Sequence, residues 1–299
     1  MYSFARKPIW LAGHALAGGL LVIFVIAGFW QLSRHNEVSD RNAAIAERTE
    51  MPPLDADRFF EAVTGSEVIA QFEYRSVSLP KVDFDWDELV LIRNRSLGGR
   101  AGCHLVVPAE ATSASDQASY GVLVLAGWLP EVGCAAALDD ESDAAAVIAI
   151  RLATPTPITG RIRTSQERGL LGPTDPAEGR LSTLARVDVE RINRQTTLDL
   201  VPVYIERTDQ QIATDDASER FEDVTAETPT GETLAWGENT ALDLTMLSPV
   251  PIPPPELDSG PHLGYTFQWF SFAAVAIVGY TLVLRHQARK GDSEQIVDD

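Results

Sequence analysis

Two charge-free apolar runs, one at either end, constrain this chain more than anything else in it. The second, Leu263 to Leu284, is 22 residues long, about 33 Å as a helix and enough to cross a bilayer core. Arg285, His286, Arg289 and Lys290 follow it directly. The first, Ile9 to Leu32, is 24 residues, with Arg6 and Lys7 before it and Arg34 after it. A signal peptide has a shorter apolar region, about 7–15 residues, and a small-residue cleavage site. This run fits a retained anchor instead. Basic residues lie on the terminal side of both runs, so the positive-inside rule puts both termini in the cytoplasm and the middle of the chain outside. The expected address is therefore the bacterial plasma membrane, with two spans in the lipid bilayer.

The formal charge is −19, and the acidic excess falls between the two runs. Nucleic-acid binding is excluded as a reading, because neutralising phosphates needs a basic face. Only two cysteines occur, Cys103 and Cys134. An oxidising outer compartment permits them to pair, and both fall near predicted strands. Pairing is the leading expectation, which the sequence by itself leaves open. A metal site is disfavoured, since no histidine pair at ligand spacing accompanies them.

After the first run, residues 35–50 read as polar and helix-compatible, ending at Met51-Pro52-Pro53. Short β-type runs follow, separated by turn signals: Val77 with Leu79, Leu89 to Ile92, Cys103 to Val107, Gly121 to Trp128, Ile158 to Arg163 and Val201 to Glu206. Strands of this length and spacing predict a mainly-β domain, a small antiparallel barrel or sandwich. A short helix is expected near Leu184 to Asn193. From Asp209 to Gly260 there are 12 acidic residues and one basic residue, Arg220. Few large apolar residues occur there, so too little surface is available to offset chain entropy. Six prolines between Pro249 and Pro261 predict a stiff, extended strut. The expected organisation is thus 1–8 cytoplasmic, 9–32 first span, 33–209 outer β domain, 210–261 disordered acidic insertion and proline-rich strut, 262–284 second span, and 285–299 cytoplasmic tail.

Gly-x-Ser-x-Gly, a phosphate loop, a dinucleotide glycine fingerprint and His-Glu-x-x-His are all absent. No catalytic set emerges from spacing, and the expectation is that the chain is not an enzyme. The sharpest local pattern lies at the start of the second run. On a helix His262, Tyr265 and Trp269 fall at i, i+3 and i+7, on one face. An aromatic belt at headgroup level explains Tyr265 and Trp269. It explains His262 less well, and a neutral imidazole at a membrane edge is also an axial ligand for haem iron.

Four segments carry a resemblance, in order along the chain. They are Gly28-Phe29-Trp30-Gln31-Leu32-Ser33-Arg34, Gly121 to Pro130 with its Gly127-Trp128-Leu129-Pro130, Ile158-Thr159-Gly160-Arg161-Ile162-Arg163, and His262-Leu263-Gly264-Tyr265 with Gln268-Trp269-Phe270. The chain resembles the surfeit-locus (Surf-type) family of cytochrome c oxidase assembly proteins. It departs from many members in having Ala126 where they have Arg, and Pro261 where they have Asn. The resemblance implies an assembly factor for a haem-copper oxidase, assisting delivery or insertion of haem A into the core subunit. Its partners would be that subunit and the haem A supply machinery. Carried over residue by residue, the iron ligand is His262, Tyr265 and Trp269 are pocket walls, and Trp30, Gln31 and Arg34 approach from the other helix, Arg34 reaching a haem propionate or anchoring the helix at the interface. Two other readings stay in view: a scaffold for the same assembly with no haem of its own, and a two-span receptor for an extracytoplasmic ligand.

Overall fold

The computed structural model describes residues 3–65, 68–115, 117–139, 144, 148, 157–170, 172–208, 234–236, 240–242 and 247–297. Its elements in chain order are α1 (Pro8–Glu50), α2 (Ala56–Thr64), β1 (Ser76–Leu79), β2 (Val82–Phe84), β3 (Val90–Leu97), β4 (Arg100–Thr112), β5 (Ser119–Pro130), α3 (Glu131–Ala137), β6 (Ile158–Thr164), β7 (Thr183–Leu184), α4 (Val189–Asn193), β8 (Leu200–Arg207), β9 (Leu234–Trp236), β10 (Thr240–Leu242) and α5 (His262–Val297). They form two compact units, Met1–Ala46 with Glu256–Asp299, and Glu47–Pro255.

The first unit is built from the two long helices. Both are long and apolar enough to cross a membrane. Helix α1 does not stop where its apolar run ends at Leu32; it continues through the polar segment to Glu50. Contacts at Phe24 with Trp269 and Phe272, and at His14 with Tyr280, show that the two helices run antiparallel. Leu16, Ile23, Ile26, Val275 and Val278 face outward, away from protein.

The second unit is an eight-stranded sheet in the order β1-β6-β8-β5-β4-β3-β7, with β2 also paired to β4. This corrects the expected antiparallel barrel or sandwich. The sheet is open, ending at β1 and β7, and it is mixed: β5 pairs parallel with β8, and β3 parallel with β7. Parallel neighbours need crossover connections rather than hairpins, and here helices and long loops supply them. Both faces are covered, as a mixed sheet with crossovers requires. On one face α2 lays Phe59, Phe60 and Val63 over Val77, Val122, Val124, Ile162 and Val203. Beside it α3 covers Leu91, Leu105 and Leu129, with Cys103 and Cys134 joined as a disulfide. On the other face α4 and its approach bury Val187, Val189 and Ile192 against Ile92, Val106, Leu123 and Tyr204.

Helix α2 has a plain local cause. Asp55 accepts from Arg58 N as an N-cap at 2.8 Å, and Ala56, Phe59, Phe60 and Val63 then recur at helical spacing on the buried side. Helix α4 begins later than the sequence suggests, at Val189 after the Asp188 cap, while Thr183–Leu184 forms β7.

Most of the expected acidic insertion lies outside the described residues; within it β9 and β10 pair as a short antiparallel ladder. The first half of the proline strut is part of the sheet unit rather than a free spacer. Leu247 is fully buried. Trp128 N donates to Val250 O at 2.7 Å and Val250 N returns a bond to Trp128 O at 2.8 Å. Gly127 permits this approach: its φ is +150°, and a Cβ there would stand 2.8 Å from Val250 O and 2.9 Å from Pro249 Cβ. Arg161 Nη2 then donates to Ile252 O (3.1 Å) and Pro253 O (2.9 Å).

Candidate functional site

The helix-pair unit carries the residues singled out at the membrane edge. Helix α5 opens at His262 after a turn in which Asp258 Oδ1 accepts from Gly260 N at 2.9 Å. His262 O accepts from Thr266 Oγ1 at 3.0 Å, and Thr266 is buried. The imidazole itself meets α1: His262 Nδ1 lies 2.9 Å from Gln31 Oε1. An amide oxygen only accepts, so Nδ1 carries the hydrogen, and in the neutral ring Nε2 keeps its lone pair.

Gly260 lies beside that second nitrogen. Its φ is +68°, and a Cβ on it would lie 3.6 Å from His262 Nε2. That is ordinary contact, so the glycine is required by its left-handed backbone rather than by the space beside the ring. A histidine fixed through one nitrogen by an oxygen acceptor, with the other nitrogen bare, is the usual arrangement of a metal-binding imidazole. Among the described residues no group of three or more His, Cys, Asp or Glu could hold a metal ion by itself. Haem iron needs no such group, because the porphyrin supplies four nitrogens and the protein adds one or two axial ligands. The single imidazole held in this way is suited to serve as one such axial ligand.

The other predicted site residues divide. Trp269 packs on Phe24 of α1 at 5.8 Å between ring centroids and on Phe272 at 5.9 Å, on the same side as His262. Tyr265 is 47% exposed and flanks the pair. Arg34 is held by Glu37, one turn further along α1, at 2.8 Å. The structure brings His262 together with Gln31 and Trp269 with Phe24. It does not bring Arg34 or Tyr265 to the imidazole. Gln31 lies in the Gly28-to-Arg34 segment that carries the resemblance; what the sequence did not give is its bond to the His262 ring.

Two of the motifs in the sheet unit serve packing. Trp128 is fully buried and its Nε1 donates to Arg95 O at 3.1 Å. Ala126 is the extra residue where the β4–β5 register shifts, between the Leu105–Gly127 and Val106–Leu125 pairs. Arg161 faces Glu206 at 3.3 Å, with both side chains under a tenth exposed. Glu206 also lies 3.5 Å from Arg163, which reaches Glu73 at 3.4 Å and stacks over Tyr74 at 4.3 Å. Burial pushes the Tyr204 hydroxyl up, against the charge of Arg163. Beside Trp128 on β4, His104 is depressed to about 4, by burial first and the charge of Arg95 second. It is therefore neutral at physiological pH, and its role is in the packing of the sheet.

In comparison with known families, the sequence model of the SURF1 family matches residues 19–274. That span runs from within α1 to within α5 and takes in the whole sheet unit. A search of curated proteins gives no match.

Proposed function

The chain belongs to the SURF1 family, which is linked to cytochrome c oxidase assembly, and from that premise we propose that it carries haem A toward the oxidase core subunit, with His262 as the iron ligand. The observation that carries this reading is the 2.9 Å contact between His262 Nδ1 and Gln31 Oε1. It orients the ring and leaves Nε2 available to iron. Trp269 and Phe24 supply an aromatic wall on the same flank, suited to a flat apolar macrocycle. Haem is cargo here, bound at one axial position and released to the subunit that keeps it. The family is one of assembly factors, and no catalytic step is assigned to this chain.

The reading includes two membrane spans, α1 and α5, in the bacterial plasma membrane. Arg6 and Lys7 before the first apolar run, and Arg285, Arg289 and Lys290 after the second, favour cytoplasmic termini and an outer sheet unit. His262 and Gln31 then sit at the outer edge of the bilayer. The core subunit and the haem A supply machinery are the partners on this account.

Two measurements test it. Protease added to intact spheroplasts should cleave the outer segment and spare a C-terminal tag; loss of the tag from intact cells contradicts the orientation. Protein purified from cells that make haem A should show a haem A visible spectrum in proportion to protein. A colourless preparation from such cells contradicts haem carriage and favours a scaffold.

A further inference from the structure

A cleft of about 350 Å³ opens in the sheet unit where the last turn of α1 meets α2 and the 71–75 segment. Three guanidiniums line it, Arg48, Arg58 and Arg75, against one carboxylate, Glu47, with Met51 and Phe72 as an apolar wall. In a chain with 43 acidic and 24 basic residues, this is a local reversal of charge. Of the nearby carboxylates, Glu73 accepts from Arg163 and Thr164, while Glu61 pairs with Arg58 itself at 2.8 Å, so positive charge still exceeds negative in the cleft.

Two of the guanidiniums are tied by one edge. Arg48 Nη1 donates to Ala70 O (3.1 Å) and Glu73 O (3.4 Å), and Arg75 Nη2 donates to Pro52 O at 3.1 Å. Each guanidinium has five donors, so these ties hold the groups in place and leave most donors uncommitted. Arg75 Nε is shielded from solvent and has no acceptor among the described residues. An unmade charged hydrogen bond of this kind is costly.

We propose that this cleft is a binding site for a small phosphate- or carboxylate-bearing solute. Preorganised guanidinium forks match the oxygens of such anions, and the volume suits a small molecule rather than a macromolecular surface. Phospholipid headgroups carry the same chemistry. The soluble anion is the ligand assigned to the cleft, and the test below separates the two sources. The site is separate from His262 and does not depend on the haem reading.

The test is titration calorimetry on the full chain in neutral detergent, with orthophosphate and succinate as probes and sodium chloride as the ionic control. Saturable binding of either probe is expected, absent with chloride. Arg58→Gln should weaken it roughly tenfold, the value of one charge-assisted contact, and Arg48→Gln with Arg75→Gln should abolish it. Arg58 is exposed and leaves the ties to Ala70 and Pro52 untouched, so its variant decides the matter if the double variant fails to fold. No saturable heat in the wild type, or equal binding by Arg58→Gln, overturns the site. Binding seen only with phosphatidylglycerol nanodiscs, and not with the free anions, overturns the solution source.

Discussion

Tyr280 on α5 donates its hydroxyl hydrogen to Nδ1 of His14 on α1. The direction follows from the other side of the ring, where His14 Nε2 lies 3.2 Å from the carbonyl of Ala5. A carbonyl only accepts, so Nε2 bears the hydrogen and Nδ1 is the acceptor. Both nitrogens of a histidine inside an apolar run are thereby satisfied, and the two helices are pinned at the end opposite His262. On the membrane-spanning reading, Tyr280→Phe leaves Nδ1 unpartnered and should cost about 0.6–2 kcal/mol. Thermal unfolding in detergent measures this; an unchanged midpoint would show that the bond adds nothing to the pair.

His104 gives the sheet unit an acid sensitivity. Its folded value of about 4 lies below the ordinary 6.5, so the unfolded chain binds the proton more readily. The stabilising contribution of the neutral ring is complete above about pH 6.5 and is lost as pH falls toward 4, by about 3 kcal/mol. His104→Gln should lose less stability than wild type between pH 7 and pH 4.5. Parallel losses in the two proteins would place the acid sensitivity elsewhere.

The Arg161–Glu206 pair holds the strap at 247–255. Arg161→Met leaves a buried carboxylate with only the longer Arg163 contact and removes the donor to Ile252 O and Pro253 O. A loss of about 3 kcal/mol is expected, together with new proteolytic cleavage near Val250. Replacing Glu206 by Met as well should recover part of the loss. A double variant weaker than the single one would mean that the strap contacts, and not the stranded charge, dominate.

Cys103 and Cys134 close a loop of sequence separation 31. In the chain-entropy account, opening a loop of that size costs about 3–4 kcal/mol. Cys134→Ser should lower stability by that order while leaving the helix pair unaffected. A change well under 1 kcal/mol would make the bond incidental to folding.

The parts of the fold that were legible in the sequence are those with local causes. The two long helices follow from uncharged runs, and the strands around Leu123, Ile162 and Val203 from β-rich segments between turns. The α2 signal is also local, with Asp55 as cap and Ala56, Phe59, Phe60 and Val63 in register, but it lies between Pro52-Pro53, which end the preceding helix, and the first β-type run, a stretch for which no helix was expected. Pairings between distant segments leave no such trace. Nothing in the period of β5 announces a parallel neighbour in β8, so hairpin spacing led to a barrel or sandwich instead of an open mixed sheet. The prolines from Pro249 signal stiffness, yet their registration on Trp128 and Arg161 is a tertiary fact. In the helix pair the resemblance pointed to His262 and to Trp30, Gln31 and Arg34 on the other helix, but that Gln31, 231 positions away, is the one bonded to the ring is seen only when the helices meet.

That partnership is also the most direct handle on the central claim. Visible spectra of protein from cells making haem A should be compared for wild type, His262→Ala and Gln31→Leu at equal membrane levels. The account predicts no haem spectrum in His262→Ala. In Gln31→Leu it predicts a bound haem with weakened retention, about tenfold or more, since removing the oxygen that orients a ligating imidazole usually costs that much. A haem spectrum in His262→Ala equal to wild type, with oxidase assembly intact, would contradict the assignment of His262 as the ligand.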